Sequence, residues 1–172
     1  MARRVGVLTV SDRSAHGERE DRSGPALAGL LQAHGWTVAT TQIVPDERQQ
    51  VRAALEQWAD SGSVDLILTT GGTGFAARDL TPEATLDVLD RLAPGLPESM
   101  RGAGMRATPH AMLGRGVAGL RGRVLIVNLP GNPRAAQESL EVILPVLPHA
   151  LDLLAGEGDD RGHQPPVHKP LA

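Results

Sequence analysis

Three short, nearly continuous apolar runs constrain this chain more than any other feature: residues 5–10 (VGVLTV), 64–70 (VDLILTT) and 123–129 (RVLIVNL). A strand with one wet face alternates apolar and polar residues, so runs this continuous belong to strands buried on both faces. Such strands form parallel sheets covered by helices, and helical patterns lie between the runs: residues 25–34, stopped by Gly35, and 47–59, with apolar positions at helical spacing. Residues 38–44 read as a further strand. Residues 81–92 read as a third helix, with Thr81 as N-cap and Pro82 at the first helical position. Residues 94–119 are less regular: a short helix around 98–106, then a glycine-rich excursion suited to a hairpin. Asn132-Pro133 opens a last helix that ends or kinks near Pro145 and resumes to about Leu154. The expected fold is α/β, a three-layer, doubly wound, mostly parallel sheet with a small hairpin excursion. One domain is expected over residues 1–155, and residues 156–172, rich in glycine, proline and charge without periodicity, are expected to form a flexible C-terminal tail.

Composition narrows the chemistry. The chain of 172 residues suits one domain, and its few aromatic residues are Trp36, Trp58 and Phe75, so the core must be aliphatic. That scarcity disfavours a stacking platform for single-stranded nucleic acid, and a formal charge of −3 disfavours general affinity for nucleic acid or anionic membranes. The chain contains no cysteine, which excludes a thiolate nucleophile and a disulfide framework. The apolar N-terminal run is broken by Ser11 and Asp12, too early for a signal peptide, and the expectation is a soluble cytoplasmic protein. His163 and His168 fit no ligand spacing.

In a doubly wound sheet, ligands sit beyond the carboxyl ends of the strands, which leaves four loops: 11–24, 45–46, 71–79 and 130–133. Gly71, Gly72, Thr73 and Gly74 follow directly on a buried strand. Three glycines in four residues let backbone N–H groups approach an anion unhindered, although a tight strand-to-helix turn is the plainer role. No lysine follows, as a P-loop requires, and the loop closes on Asp79. Asp79 suits an Asx-turn, and Asp46 with Gln49 has the spacing of a capping box. Both aspartates are nevertheless expected at the ends of neighbouring strands, beside a loop suited to phosphate. Two carboxylates repel a phosphate unless Mg²⁺ lies between, and magnesium takes a few carboxylates together with phosphate oxygens and water. Asp46 and Asp79 are therefore the candidate metal and catalytic pair. Ser11, Asp12 and Ser23 lie in the polar loop after the first strand, and Pro130, Gly131 and Asn132 set another helix start at the same edge.

Together these loops resemble the molybdopterin adenylyltransferase (MogA/MoaB-like) family of molybdenum cofactor biosynthesis. The matching pieces run in the family's order from about residue 5 to 154: TVSDR (9–13), DRSG (21–24), VPDE (44–47), TTGGTG (69–74), RDLTPEAT (78–85), PGLPESMR (94–101), LIVNLPGNP (125–133) and HALDLL (149–154). The succession of TTGGTG, RDLTPEAT and LPGNP is specific in a way that a lone glycine loop is not. One departure is Gly114, in AMLGR, where the family carries serine.

The resemblance implies a homotrimer and a reaction of molybdopterin with ATP and Mg²⁺ that yields adenylyl-molybdopterin and pyrophosphate. The pterin's terminal phosphate attacks the α-phosphorus. A phosphate dianion needs no strong base at neutral pH, so the protein's work is positioning and charge neutralisation. By the same resemblance, Asp46 and Asp79 support Mg²⁺ and the phosphates, and residues 71–74 lie against the pterin or phosphate. Pro130, Gly131 and Asn132 line that pocket, with Ser11, Asp12 and Ser23 as further contacts. Contact with the molybdenum-inserting enzyme of the pathway is also implied. Two other readings stand beside it: a non-catalytic pterin-binding protein of the same fold, and an unrelated nucleotide hydrolase.

Overall fold

The computed structural model describes residues 3–156. Apart from Gly156, the expected tail lies outside the described residues, with His163 and His168. The chain order is β1 (Arg4–Val10), α1 (Asp12–Ala15), α2 (Ser23–Ala33), β2 (Thr37–Val44), α3 (Arg48–Asp60), β3 (Leu66–Thr70), α4 (Thr81–Leu86), β4 (Arg91–Leu92), α5 (Gly95–Met105), a 3₁₀ turn (Pro109–Leu113), β5 (Ala118–Arg121), β6 (Val124–Leu129), α6 (Pro133–Ile143) and α7 (Leu147–Ala155). The sheet order is β2-β1-β3-β6-β5-β4. β2, β1, β3 and β6 run parallel, while β5 and β4 add an antiparallel flank.

The apolar runs do what their continuity requires. Side chains alternate across a strand, so Val5 and Val7 of β1, Leu66 and Leu68 of β3, and Leu125 and Val127 of β6 face one layer, packed with Leu27, Leu31, Leu140 and Leu147 of α2, α6 and α7. Leu8, Val10, Ile67, Val124 and Ile126 face the other, against Val51, Leu55 and Trp58 of α3 and Ala84 of α4. The result is the expected three-layer α/β sandwich. Each fully buried leucine or isoleucine contributes about 1.5–3 kcal/mol over exposure.

Several boundaries differ from the sequence reading. Residues 81–92 are not one helix: α4 ends at Leu86, and Arg91–Leu92 form an edge strand. The Asp90 N–H donates to the Leu120 carbonyl and the Ala93 N–H to that of Ala118, so pairing with β5 replaces the helix. The N-cap position belongs to Leu80, and Thr81 is the first helical residue. The hairpin straddles the end of the predicted excursion, with β5 turning through Gly122 into β6. The 11–24 loop holds the four-residue α1 and the first residues of α2. The break near Pro145 is present, between Ile143 and Leu147.

Gly6, in the middle of β1, is required by packing. A Cβ there would lie 2.7 and 2.9 Å from ring carbons of Trp58, whose side chain closes the α3 face. Gly29, exposed in α2, has nothing within 4 Å of its Cβ position. Gly6→Ala should therefore lose about 1–3 kcal/mol through overpacking. Gly29→Ala should gain about 0.5–1 kcal/mol through helix propensity. Urea denaturation of both variants checks the opposite signs.

Candidate active site

Because β1, β2, β3 and β6 are parallel, the loops that follow them leave one edge of the sheet. The order β2-β1-β3 corrects one expectation: the strands leading to Asp46 and Asp79 are not neighbours, since β1 lies between them. The end of β1 puts Ser11 and Asp12 in the middle. Asp12 and Asp46 bond reciprocally, the Asp12 N–H to Asp46 Oδ2 at 2.8 Å and the Asp46 N–H to Asp12 Oδ1 at 3.0 Å. Arg78 clamps Asp12 from the far side of the glycine loop, its Nε 2.6 Å from Oδ2 and Nη2 2.8 Å from Oδ1.

This reciprocal bond also removes Asp46 from the capping role. The N-cap of α3 is Glu47, with no side-chain cap bond, and its carboxylate accepts instead from Gln50 Nε2. Asp79 forms no ordinary Asx-turn either. Its Oδ2 accepts the N–H of Ala76, three residues earlier, at 2.9 Å, and closes the loop on itself.

The charges are unequal in their settings. The Arg78 guanidinium holds the Asp12 carboxyl below the usual range. Burial pushes the Asp46 carboxyl up, and the neighbouring carboxylates of Asp12 and Asp79 push it further. Asp46 Oδ1 and Asp79 Oδ1 accept no hydrogen bond among the described residues. Nor do three histidine or carboxylate side chains converge on a cage there. That donor set fits Mg²⁺, which binds through one or two carboxylates and otherwise keeps water and phosphate oxygens.

The glycine loop is built by close approach. Gly71, at φ 102°, lies so near β1 that a Cβ would strike the Val10 carbonyl oxygen, and a Cβ on Gly131 would come within 3.1 Å of Gly71 Cα. Gly72, at φ 64°, leaves room for Asp46 Oδ1, and Gly74 for Asp79 Oδ2. Beneath the loop, Asn128 Nδ2 donates to Thr69 Oγ1 (3.0 Å) and Thr85 Oγ1 (2.9 Å). The Thr85 hydroxyl donates to the Thr81 carbonyl, and Thr81 Oγ1 to the Gly71 carbonyl. Above it, Arg115 donates to the carbonyls of Gly74 and Asp79 and to the Glu83 carboxylate. The sequence reading missed these supports. Asn128 carried a signal, being a polar residue inside an apolar run.

A cavity of about 660 Å³ opens on the α5–α6 side of the loop, walled by Pro97, Met100, Leu113, Leu129 and Val142, with Arg101, Arg106 and His110 also lining it. Of the residues singled out from the sequence, Thr73, Gly74 and Pro130 line it, as does Gly114, and no aspartate does. The Ser23 hydroxyl donates to Asp21 Oδ1, Ser11 Oγ accepts from Ser14 N, and Asn132 Oδ1 caps α6 through Ala135 N. Ser11 and Asn132 are thus engaged in local capping, whereas at Ser23 it is the Asp21 carboxylate that accepts the first N–H groups of α2, from Ser23 and Gly24. Asp21 ties this region to β1 by accepting from Thr9 Oγ1 at 2.7 Å.

Known proteins resemble this chain in sequence and in fold. The family described as the probable molybdopterin binding domain matches residues 6–149. The molybdopterin adenylyltransferase of Helicobacter pylori is 42% identical over 154 residues, which is 88% of each chain. That of Escherichia coli is 42% identical over 140 residues, covering 80% of this chain and 72% of the relative. The crystal structure of the molybdopterin biosynthesis enzyme MoaB of Thermus thermophilus is 55% identical and superposes with a TM-score of 0.85, over 90% of this chain and 98% of that one.

Asp46 provides a test of the electrostatics. Its carboxyl titrates above the unfolded value near 3.9, so the charged form weakens the fold. The penalty is absent below the unfolded pKa and complete once pH exceeds the folded one. Asp46→Asn, which keeps the acceptor for Asp12, should raise Tm at pH 7.5. The advantage should fade toward pH 4. Asp46→Ala should cost about 1 kcal/mol instead, by leaving the Asp12 N–H without its partner. Thermal melts across that pH range decide the matter, and a destabilised Asp46→Asn at pH 7.5 contradicts the assignment.

Proposed function

This chain belongs to the molybdopterin-binding domain family, and from that membership we propose that it is a molybdopterin adenylyltransferase. It joins AMP from ATP to the terminal phosphate of molybdopterin and releases pyrophosphate. The observation that carries the reading is one loop with two unlike sides. Thr73 and Gly74 line a cavity of about 660 Å³ with largely apolar walls, a size suited to a ring system. Gly72 and Gly74 back onto the carboxylates of Asp46 and Asp79. A ligand with an apolar, planar body and a phosphate at its end spans those two environments.

The pterin phosphate oxygen bonds to the α-phosphorus of ATP as the bond to the bridging oxygen of the β-phosphate breaks, and that electron pair leaves with pyrophosphate. The attacking dianion is already a nucleophile, so the residues align and neutralise rather than remove a proton. Bare N–H groups of the glycine loop orient phosphate oxygens. Asp46 and Asp79 would hold Mg²⁺, which when bound neutralises charge on the transferring and leaving phosphates. Arg78, more than half exposed in its pair with Asp12, is a cation within reach of an incoming triphosphate. A homotrimer in the cytoplasm belongs to the same reading; exposed Phe75, Leu92 and Met112 offer apolar surface for contacts between copies.

Incubation with molybdopterin, ATP and Mg²⁺ should yield adenylylated pterin and an equivalent of pyrophosphate. Pyrophosphate or ADP formed at the same rate without pterin would favour a hydrolase, and tight pterin binding without turnover a non-catalytic binder. Asp79→Asn should remain folded and lose about a hundredfold or more in rate, since the amide keeps the acceptor for Ala76 but removes the charge. Near-normal turnover at saturating Mg²⁺ refutes that role. Light scattering should give three times the chain mass.

A further inference from the structure

The segment that walls the cavity and the loop that carries Asp79 meet at one side chain. Arg115 lies between Gly114 and Gly116, both of which line the cavity, and their carbonyls accept from Arg101 Nη1 at 3.3 and 3.0 Å. The Arg115 N–H donates to the Thr73 carbonyl at 2.9 Å and its Nε to the Gly74 carbonyl at 2.7 Å. Nη2 donates to the carbonyl of Asp79, and Nη1 to the carboxylate of Glu83 in the first turn of α4. One planar fork thus holds both ends of the stretch from Gly74 to Asp79. Residues 75–78, between those ends, are exposed.

We propose that Arg115, oriented by Glu83, is a positioning residue that sets the Asp79 carboxylate for the metal–phosphate end of the site and couples it to the cavity wall. This rests on the functional reading above. Magnitudes separate positioning from plain bracing. The Arg115 and Glu83 side chains are 34% and 33% exposed, and a pair that wet contributes little to global stability. The same contacts account for much of what holds an otherwise exposed loop in one conformation. The Arg115 guanidinium keeps the Glu83 carboxyl below its usual range, so the pair stays charged at neutral pH. Lysine keeps the charge but lacks the planar fork that reaches three acceptors at once.

The test compares the full-length wild type, Arg115→Lys and Glu83→Gln. Three readouts are needed beside Tm: amide hydrogen exchange over residues 74–79, Mg²⁺ half-saturation of adenylyl transfer, and calorimetric binding of ATP with Mg²⁺. In Arg115→Lys, exchange should quicken by about tenfold, and half-saturation should rise by about tenfold or more. Affinity for Mg-ATP should weaken in step, with Tm within about 3 °C of wild type. Glu83→Gln should move every readout in the same direction by less. Faster exchange with an unchanged Mg²⁺ response makes Arg115 a brace of the fold alone and overturns the proposal. A weaker Mg²⁺ response with unchanged exchange makes it a direct ligand group, which overturns it too, as does a variant indistinguishable from wild type. Wild type that neither turns over nor binds Mg-ATP sinks the functional reading and this inference with it; an active wild type with unaffected variants sinks this inference alone.

Discussion

Gly71 occupies a place where three strands close to within the thickness of a bare backbone. Its N–H reaches the Leu129 carbonyl of β6 and its carbonyl takes the Thr81 hydroxyl, while its α-carbon faces the Val10 carbonyl of β1 on one side and Gly131 on the other. A side chain on Gly71 would push β1 away from β3 at a strained dihedral, and one on Gly131 would lift the 130–133 turn off Gly71. The loop that follows would then lose its footing. Asp46 over Gly72, Asp79 against Gly74 and the cavity beside Thr73 all take their positions from this one contact.

The buried hydrogen-bond chain beneath the loop makes that contact rigid. Asn128 and Thr85, both buried, satisfy one another and pass the constraint through Thr81 to the Gly71 carbonyl. A buried polar group left unpaired costs about 1–3 kcal/mol, so the network admits few other arrangements. Burial at the centre contrasts with residues 75–78, which are exposed and closed by Asp79 and Arg115. Electrostatically the edge is acidic, with Arg78 committed to Asp12 and Arg115 to Glu83. Asp46 pays for its place, carrying charge where burial and two like neighbours oppose it. Sites that hold metal and phosphate commonly keep such locally unfavourable charge, because the arriving cation relieves it.

Much of this was legible before any coordinates. Unbroken runs such as VGVLTV and RVLIVNL permit few structures other than central parallel strands, and parallel strands put every β-to-α loop on one edge. Misreadings arose where local pattern competed with contacts distant in sequence. Residues 87–92 carry helical spacing, yet Arg91 and Leu92 pair with β5, because an edge strand there lets the flanking N–H groups of Asp90 and Ala93 meet the carbonyls of Leu120 and Ala118. Asp46 has the spacing of a helix cap, yet it answers Asp12, thirty-four residues away. Ser11 and Asn132, which looked available to a ligand, are engaged in capping, because a helix start must satisfy its own N–H groups first.

The sequence by itself determined the layer architecture, the edge at which the candidate site lies and the residue types gathered there, since hydrophobic periodicity and glycine content are local properties read along the chain. Tertiary structure alone decided the strand order that places β1 between the two aspartates, the pairing of Arg78 with Asp12, and the Arg115–Glu83 brace. Those choices depend on which segments pack side by side, and the burial that selects among them is non-directional. It leaves no spacing rule in the sequence to announce which partner a charged side chain will find.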